Sequence, residues 1–133
     1  MIYLLDTNAC IVYLKGLNSQ LKQRLESHNP RDIVVCSVVK AELFYGAKKS
    51  QKSQQNLIQQ RIFLKRFISL PFDDRCTEIY GEIRANLETR GMPIWPYDLQ
   101  IASIAIANDL ILVTHNMAEF QRISELNIED WEV

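Results

Sequence analysis

Acidic and amide side chains follow two apolar runs of this sequence. Asp6 comes directly after the run 2–5, and Asn116 and Glu119 come just after the run 110–113. If both runs are parallel strands, their carboxyl ends meet at one edge of a sheet, where the functional crevice of such folds lies. Taken singly, Asp6 is explained equally well as a helix cap, and Asn116 and Glu119 are explained better as cap or surface residues than as site residues. Together they predict a polar site at that edge.

Two further acids lie on segments with helical periodicity. At 100° per residue, Glu42 falls beside Val38 and Val39, on the stripe of its helix that we expect to face the sheet. An unpartnered carboxylate in that position is strongly unfavourable, so Glu42 needs a cation, a hydrogen-bond donor or a cleft. Asp98 lies in the first turn of another helical segment, where the helix dipole alone also accounts for an acid.

The combination of these acids points to one kind of chemistry. Clustered carboxylates repel one another unless a divalent cation neutralises them. Ligation by oxygen alone, without His or Cys, selects hard cations such as Mg²⁺ or Mn²⁺. Such cations activate water and stabilise the attacking and leaving oxygens during phosphodiester cleavage. The residues therefore predict metal-dependent hydrolysis of a phosphate ester.

An alternation of short apolar runs and helical stretches must position these acids. Strands are predicted near 2–5, 33–36, 68–70 and 110–113, with an edge strand near 128–131. Helices are predicted near 9–15, 18–27, 38–49, 54–67, 74–90, 97–108 and 117–123. Strands that alternate with helices imply a parallel sheet covered on both faces. The predicted fold class is a three-layer α/β/α sandwich with a short parallel sheet, in a single domain over residues 1–133.

Three residues mark predicted helix ends. Ser37 is expected to cap the helix near 38–49, because serine oxygens accept the free amides of a first turn. Gly91 stands where a glycine ends a helix in the left-handed conformation. Pro96 stands at the first helical position, which proline tolerates best. The helix that follows it is apolar nearly all round, so we expect it to be buried.

Composition limits the class of protein. The chain has 133 residues, with 15 Lys and Arg against 16 Asp and Glu. No apolar run approaches the roughly 18 residues that cross a bilayer, so no membrane partner is predicted. Cys10, Cys36 and Cys76 are isolated in apolar surroundings, which predicts buried free thiols rather than disulfides or a zinc site. This usage suits the reducing cytoplasm.

The near-neutral total conceals an uneven distribution of charge. Residues 40–66 hold seven basic residues and one acid, whereas residues 116–133 hold five acids and one base. The basic stretch is explained either as a solvated helix face or as a contact for RNA phosphates beside the acidic site. Phe44 and Tyr45 could stack on bases, although we expect at least one of them to pack in the core.

Five segments, in order along the chain, resemble a known family. They are LLDTN at 4–8, SVVKAELFYGAKKS at 37–50, IYGEIRANLETRGMPI at 79–94, YDLQIASIAIAN at 97–108 and LILVTHNMAEFQRI at 110–123. Through them the chain resembles the VapC-type toxins of the PIN-domain ribonuclease family from end to end. The resemblance implies an endoribonuclease toxin of a type II toxin–antitoxin system that arrests translation. It also implies Mg²⁺ as cofactor, with Mn²⁺ able to substitute, and products with a 3′-hydroxyl and a 5′-phosphate.

The resemblance also implies site residues and partners. The acids of the family correspond here to Asp6, Glu42 and Asp98 as metal ligands, with Asn116 at the fourth position and Glu119 close by. Thr7 and Thr114 resemble the hydroxyl neighbours of the metals. The implied partners are a cognate VapB-type antitoxin, a second copy of the chain in a homodimer, and an RNA substrate. Transfer RNA, and initiator tRNA first, is the expected substrate, and operator DNA is contacted only through the antitoxin.

Two positions depart from the family pattern. Many PIN domains carry Asp where Asn116 stands, and this difference affects how a second metal is held. Trp95 and Pro96 replace a bend that usually contains glycine. Asn116 keeps open an alternative, a catalytically weakened PIN module that acts through RNA or protein binding. A phosphoacceptor receiver domain is excluded, because no acidic pair ends the first strand and no lysine follows the last. A phosphatase with an Asp-x-Asp nucleophile is excluded because Asn8 replaces its second acid.

Overall fold

A parallel sheet of five short strands forms the centre of the molecule. The computed structural model describes all 133 residues, from Met1 to Val133. The strands are β1 (Tyr3–Leu5), β2 (Ile33–Cys36), β3 (Ile68–Leu70), β4 (Ile111–Val113) and β5 (Asn127–Glu129). Their order across the sheet is β3-β2-β1-β4-β5, and every neighbouring pair is parallel. The chain thus builds outwards from β1 in both directions, first to β2 and β3, then to β4 and β5.

Seven helices cover the sheet. They are α1 (Thr7–Lys15), α2 (Ser19–Ser27), α3 (Ser37–Lys49), α4 (Ser53–Leu64), α5 (Asp74–Thr89), α6 (Pro96–Ala107) and α7 (Met117–Phe120). A 3-10 turn at Pro30–Asp32 precedes β2. Right-handed crossovers place α1 to α4 on one face and α5 to α7 on the other. The α/β/α class predicted from the sequence is confirmed, with element ends shifted by one to three residues.

Burial explains why strands of three or four residues suffice. All four residues of β2 are buried, as expected for a strand covered on both faces. Helix α6 buries Leu99 and the run 101–105, which confirms the prediction of a buried helix. The three cysteines are buried and free. None of the helices has the length and apolar character that crossing a bilayer requires.

Two of the three predicted helix ends are confirmed, and one is wrong. Pro96 is the first residue of α6, as predicted. Gly91 follows α5 with a φ of 71°, in the left-handed region that favours glycine, and its amide donates to the carbonyl of Glu88 at 3.1 Å. The prediction for Ser37 is wrong, because β2 runs directly into α3 and Ser37 is already helical. Cys36 occupies the cap position, and no side chain there accepts a hydrogen bond.

The carboxyl-terminal segment is anchored by one aromatic residue. Trp131 lies just beyond β5 and is 1% exposed. Its ring stacks on His28 and meets Tyr3 edge-on, each at 5.0 Å between centroids, and Arg24 lies over it at 5.6 Å. Its indole nitrogen donates to Glu129 at 2.9 Å. The predicted edge strand therefore ends at Glu129, because Trp131 turns inwards to close the core.

We expect Trp131→Ala to lower the free energy of unfolding by about 3–5 kcal/mol, because it removes a fully buried ring and leaves a cavity. Trp131→Phe keeps an aromatic ring and should lose less. Urea denaturation followed by circular dichroism measures both values. Val133→Ala, at a 75% exposed position two residues further on, is the control and should change little. A loss under about 1 kcal/mol for Trp131→Ala would contradict this anchoring role.

Candidate active site

Asp6 lies at the carboxyl end of the central strand. Its backbone amide donates to the carbonyl of Val113 on β4 at 3.1 Å, which extends the pairing of β1 with β4 beyond the strands. Its side chain caps α1 by accepting the Ala9 amide at 2.8 Å, and it also takes a hydrogen bond from the Thr114 side chain. The strand order reverses here, between β1 and β4, which is the position where open parallel sheets bind ligands.

The environment of Asp6 opposes its negative charge. Asp6 is 4% exposed, and burial raises the pKa of its carboxyl group from 3.8 to about 6. The hydrogen bonds from Thr114 and Ala9 lower that pKa in part, whereas the charges of Glu132 and Glu42 raise it further. A carboxylate that only capped a helix would be favoured by the helix dipole. Capping alone therefore does not explain Asp6.

Glu42 lies beside the buried face of α3 rather than on it. Val39, Leu43 and Ala47 form the buried face, so the prediction that Glu42 shares the sheet-facing stripe is wrong. Glu42 lies three residues beyond Val39, which places it on the flank of that face, half-buried. There it accepts a hydrogen bond from the hydroxyl of Thr7 at 2.6 Å. The hydrogen-bond donor that the sequence required for Glu42 is present, and it comes from the residue after Asp6.

Asp98 lies in the first turn of α6, close to the other acids. Burial first, and then the charges of Glu119, Glu42 and Asp6, together raise the pKa of its carboxyl group from 3.8 to about 7. The amino end of a helix by itself lowers the pKa of an acid. Burial and repulsion outweigh the helix dipole at this position. The dipole therefore does not account for Asp98, and the structure brings Asp98 together with the acids that follow β1 and β4.

The segment after β4 links these acids through hydrogen bonds. The backbone amide of Asn116 donates to the hydroxyl of Thr114 at 3.0 Å, and the Asn116 side chain donates to the carboxylate of Glu119. The charge of Glu119 in turn raises the pKa of Asp98, so the two carboxyl groups lie close together. A row of neighbouring polar groups thus runs from Asp6 to Asp98. The structure brings together every site residue that the sequence singled out, with Thr7 and Glu42 beside this row.

No basic side chain neutralises the four acids of the site. The structure contains four ion pairs, and none involves Asp6, Glu42, Asp98 or Glu119. Carboxylate, hydroxyl and amide oxygens are the donor atoms available, and these suit a hard divalent cation. The donor set and the raised pKa values of Asp6 and Asp98 both fit a site that becomes stable when a cation binds.

A second polar cluster lies next to this site and was not predicted. His115 is exposed, and its Nδ1 lies 2.9 Å from a carboxylate oxygen of Asp130, a contact that raises the pKa of His115. Ligand atoms of His115, Asp130 and Glu132 all lie within 4.8 Å of one another. No sequence pattern indicates this cluster, because it forms only when β5 returns the carboxyl-terminal segment to β4.

Comparison with known proteins agrees with this geometry. The family model described as "PIN domain" matches residues 3–126. Ribonuclease VapC2 of Rickettsia felis is 43% identical over 133 residues, which cover 99% of each chain. The tRNA(fMet)-specific endonuclease VapC of Salmonella typhimurium is 37% identical over 129 residues, or 97% of each chain. The crystal structure of VapBC2 from Rickettsia felis, bound to a DNA fragment from its promoter, superimposes with a TM-score of 0.92 at 42% identity and covers 98% of this chain and 99% of that chain.

The raised pKa of Asp98 generates a test of the burial and repulsion that act on its carboxyl group. Because burial raises the pKa of Asp98 to about 7, folding of the metal-free protein is penalised once the pH exceeds about 3.8. The penalty grows with pH and is complete above pH 7. We expect Asp98→Asn to stabilise the metal-free protein by about 1–2 kcal/mol at pH 8 and by less at pH 5.

Urea denaturation in the presence of EDTA measures this difference. Asp109→Asn makes the same change just beyond the other end of α6, at an exposed position, and serves as the control. A stabilisation by Asp98→Asn of equal size at both pH values, or no stabilisation at pH 8, would show that burial and repulsion together do not raise the pKa of Asp98.

Proposed function

The chain belongs to the PIN domain family, and from this membership we propose that it is the toxin of a type II toxin–antitoxin pair, acting as a divalent-metal-dependent endoribonuclease. The observation that carries the proposal is the group of acids at the carboxyl edge of the sheet, which has no basic partner. The names of its relatives support the same activity, since they are a ribonuclease and a tRNA endonuclease.

In this proposal, Asp6, Glu42 and Asp98 bind Mg²⁺, or Mn²⁺ in its place. The bound cation would supply an activated water and stabilise charge on the attacking and leaving oxygens of the phosphodiester. Thr114 and the Ala9 amide orient the carboxylate of Asp6.

The other residues of the site act by holding these ligands in place. Thr7 orients the carboxylate of Glu42 through its hydroxyl, and Asn116 holds Glu119 opposite Asp98. Cleavage by this route leaves a 3′-hydroxyl and a 5′-phosphate. The hydrogen bond from Thr7 to Glu42 joins α1 to α3, so the site is formed only in the folded protein.

The proposed substrate is RNA, and more narrowly tRNA. Six basic residues on α3, α4 and their flanks are exposed and able to contact phosphates: Lys48, Lys49, Lys52, Arg61, Lys65 and Arg66. Support for initiator tRNA comes from the relative named for tRNA(fMet), which aligns over 97% of this chain. A substrate of this kind places the activity of the protein in the cytoplasm.

We also propose that a cognate VapB-type antitoxin inhibits the toxin. The similar structure from Rickettsia felis is a VapBC complex on promoter DNA, which supports an assembly of this type that contacts operator DNA through the antitoxin. An Arg or Lys from the antitoxin would satisfy the same unneutralised acids that bind metal. A homodimer of the toxin belongs to the same proposed assembly.

We expect Asp6→Asn and Asp98→Asn each to lower RNA cleavage by at least about a hundredfold, since each removes a charged metal ligand and even weaker supporting contacts account for tenfold to hundredfold effects. Both variants should also abolish growth arrest on expression. Cleavage of total RNA by the purified protein in Mn²⁺, with the cut ends mapped, measures the activity. EDTA should abolish it, and added Mn²⁺ or Mg²⁺ should restore it.

The control for these variants is Asp109→Asn, at the far end of α6 from Asp98, which should cleave at the wild-type rate. Urea denaturation separates loss of a ligand from loss of fold. Full toxicity in either site variant would contradict the assignment of the metal ligands. Tight RNA binding by the wild-type protein without cleavage in Mn²⁺ would instead favour the weakened PIN module that Asn116 keeps open.

A further inference from the structure

An open groove borders the acidic site. The beginning of α1 and the helix α3 form its floor and one wall, where Thr7, Glu42 and Tyr45 contribute side chains. The other wall is formed at the start of α6, where Trp95 and Tyr97 contribute. Glu42 belongs both to this groove and to the site, so a chain lying in the groove reaches the acids directly.

Large aromatic side chains in this groove are unusually exposed. Trp95 and Tyr45 are each 64% exposed, and Tyr97 is 50% exposed. Exposed aromatic rings grouped in one concave surface mark a binding site rather than a part of the core. Phe44, the neighbour of Tyr45, packs against the core instead, as the sequence predicted for one of the two.

The backbone of Trp95 is fixed relative to the metal ligand Asp98. Its carbonyl accepts the Leu99 amide at 3.0 Å, so Trp95 is the residue that caps α6, and Pro96 restricts the backbone next to it. Its ring meets that of Tyr97 edge-to-face, with 6.3 Å between the centroids and 82° between the planes. The backbone of Trp95 is therefore fixed at the start of α6, and its indole remains largely exposed.

The opposite wall places a positive charge beside an aromatic ring. The ammonium group of Lys49 lies 5.1 Å from the centre of the Tyr45 ring, one turn along α3. Proteins hold single-stranded nucleic acid by stacking a base on an aromatic ring and by placing a cation near the neighbouring phosphate. Asn8, Ser37 and Gln100 also line the groove, where they can form hydrogen bonds with a hydrated polyanion.

We propose that Trp95 stacks on an unpaired base of the RNA next to the bond that is cut, with Tyr45 and Lys49 holding the strand on the other side of the groove. The inference rests on the proposed ribonuclease function and adds a requirement to it. The RNA must be single-stranded at the cut, because a base in a duplex has no free face to offer. Trp95 is thus a specificity-determining residue of this chain.

The test compares protein variants with matching changes in the RNA. The substrate is a single-stranded oligonucleotide that carries the nucleotides around a cut site mapped in tRNA, and its variants have an abasic nucleotide on one side or the other of the cut. Trp95→Ala should lower kcat/KM on the intact oligonucleotide by about fivefold to a hundredfold, mainly through KM, and Trp95→Phe should retain most of it. For the wild-type protein, kcat/KM on one of the two abasic substrates should be lower by the same factor. For Trp95→Ala, kcat/KM on that abasic substrate should be no lower than on the intact oligonucleotide.

Leu17→Ala is the control, because Leu17 is 67% exposed and lies outside the groove. If the losses in kcat/KM from Trp95→Ala and from the abasic nucleotide multiply when the two are combined, the stacking proposal is overturned. A wild-type rate for Trp95→Ala would overturn it as well. A further outcome is that the cleavage activity lost in Trp95→Ala returns at high protein concentration, with sedimentation velocity showing that the variant dissociates from a dimer. That result would overturn the stacking proposal and assign Trp95 to a contact between two copies of the chain. Cleavage that still requires Asp98 would in each of these cases leave the nuclease intact, whereas a wild-type protein that cuts no RNA would reject both proposals.

Discussion

Repulsion between carboxylates at one edge of the sheet is the constraint on which the rest of the structure depends. Asp6 and Asp98 are drawn out of water and towards Glu42 and Glu119, and burial raises the pKa of the first two to about 6 and about 7. The hydrogen bonds from Thr114 and the Ala9 amide offset only part of this effect at Asp6. Such an arrangement lowers folding stability at a place where a cation from outside the chain would relieve the repulsion.

The parallel sheet makes this crowding possible. Helices α1, α3 and α6 all begin at the carboxyl edge, because each follows or precedes a strand that runs in the same direction. Residues that are distant in sequence, such as Thr7 and Glu42, therefore meet within hydrogen-bond distance. The same convergence places the start of α6, with Trp95, across a groove from α3. The proposed metal ligands and the proposed base-stacking surface are thus produced by one topological feature.

The sequence predicted the parts of this architecture that depend on local pattern. Asp6 after β1 and Pro96 at the start of α6 were identified from strand ends and cap chemistry alone. The predicted face of Glu42 is wrong. At 100° per residue, its position on α3 is compatible with the buried stripe and with the flank of that stripe, and only the packing of α3 against the sheet distinguishes the two positions. The cluster of His115 with Asp130 was missed for another reason: it depends on how the chain returns after α7. The sequence showed that Trp95 was unusual, but its exposure followed only from the fold.

Binding of Mn²⁺ to the metal-free protein tests the central claim most directly. Electron paramagnetic resonance at pH 7.5 measures free Mn²⁺ during a titration, and Mg²⁺ can be added as a competitor. The unneutralised acids predict saturable binding that Mg²⁺ displaces and that Asp6→Asn removes, while His115→Ala leaves it in place. The absence of saturable binding, or binding that survives Asp6→Asn and disappears with His115→Ala, would contradict the assignment of the cation to the carboxylates after β1 and at the start of α6.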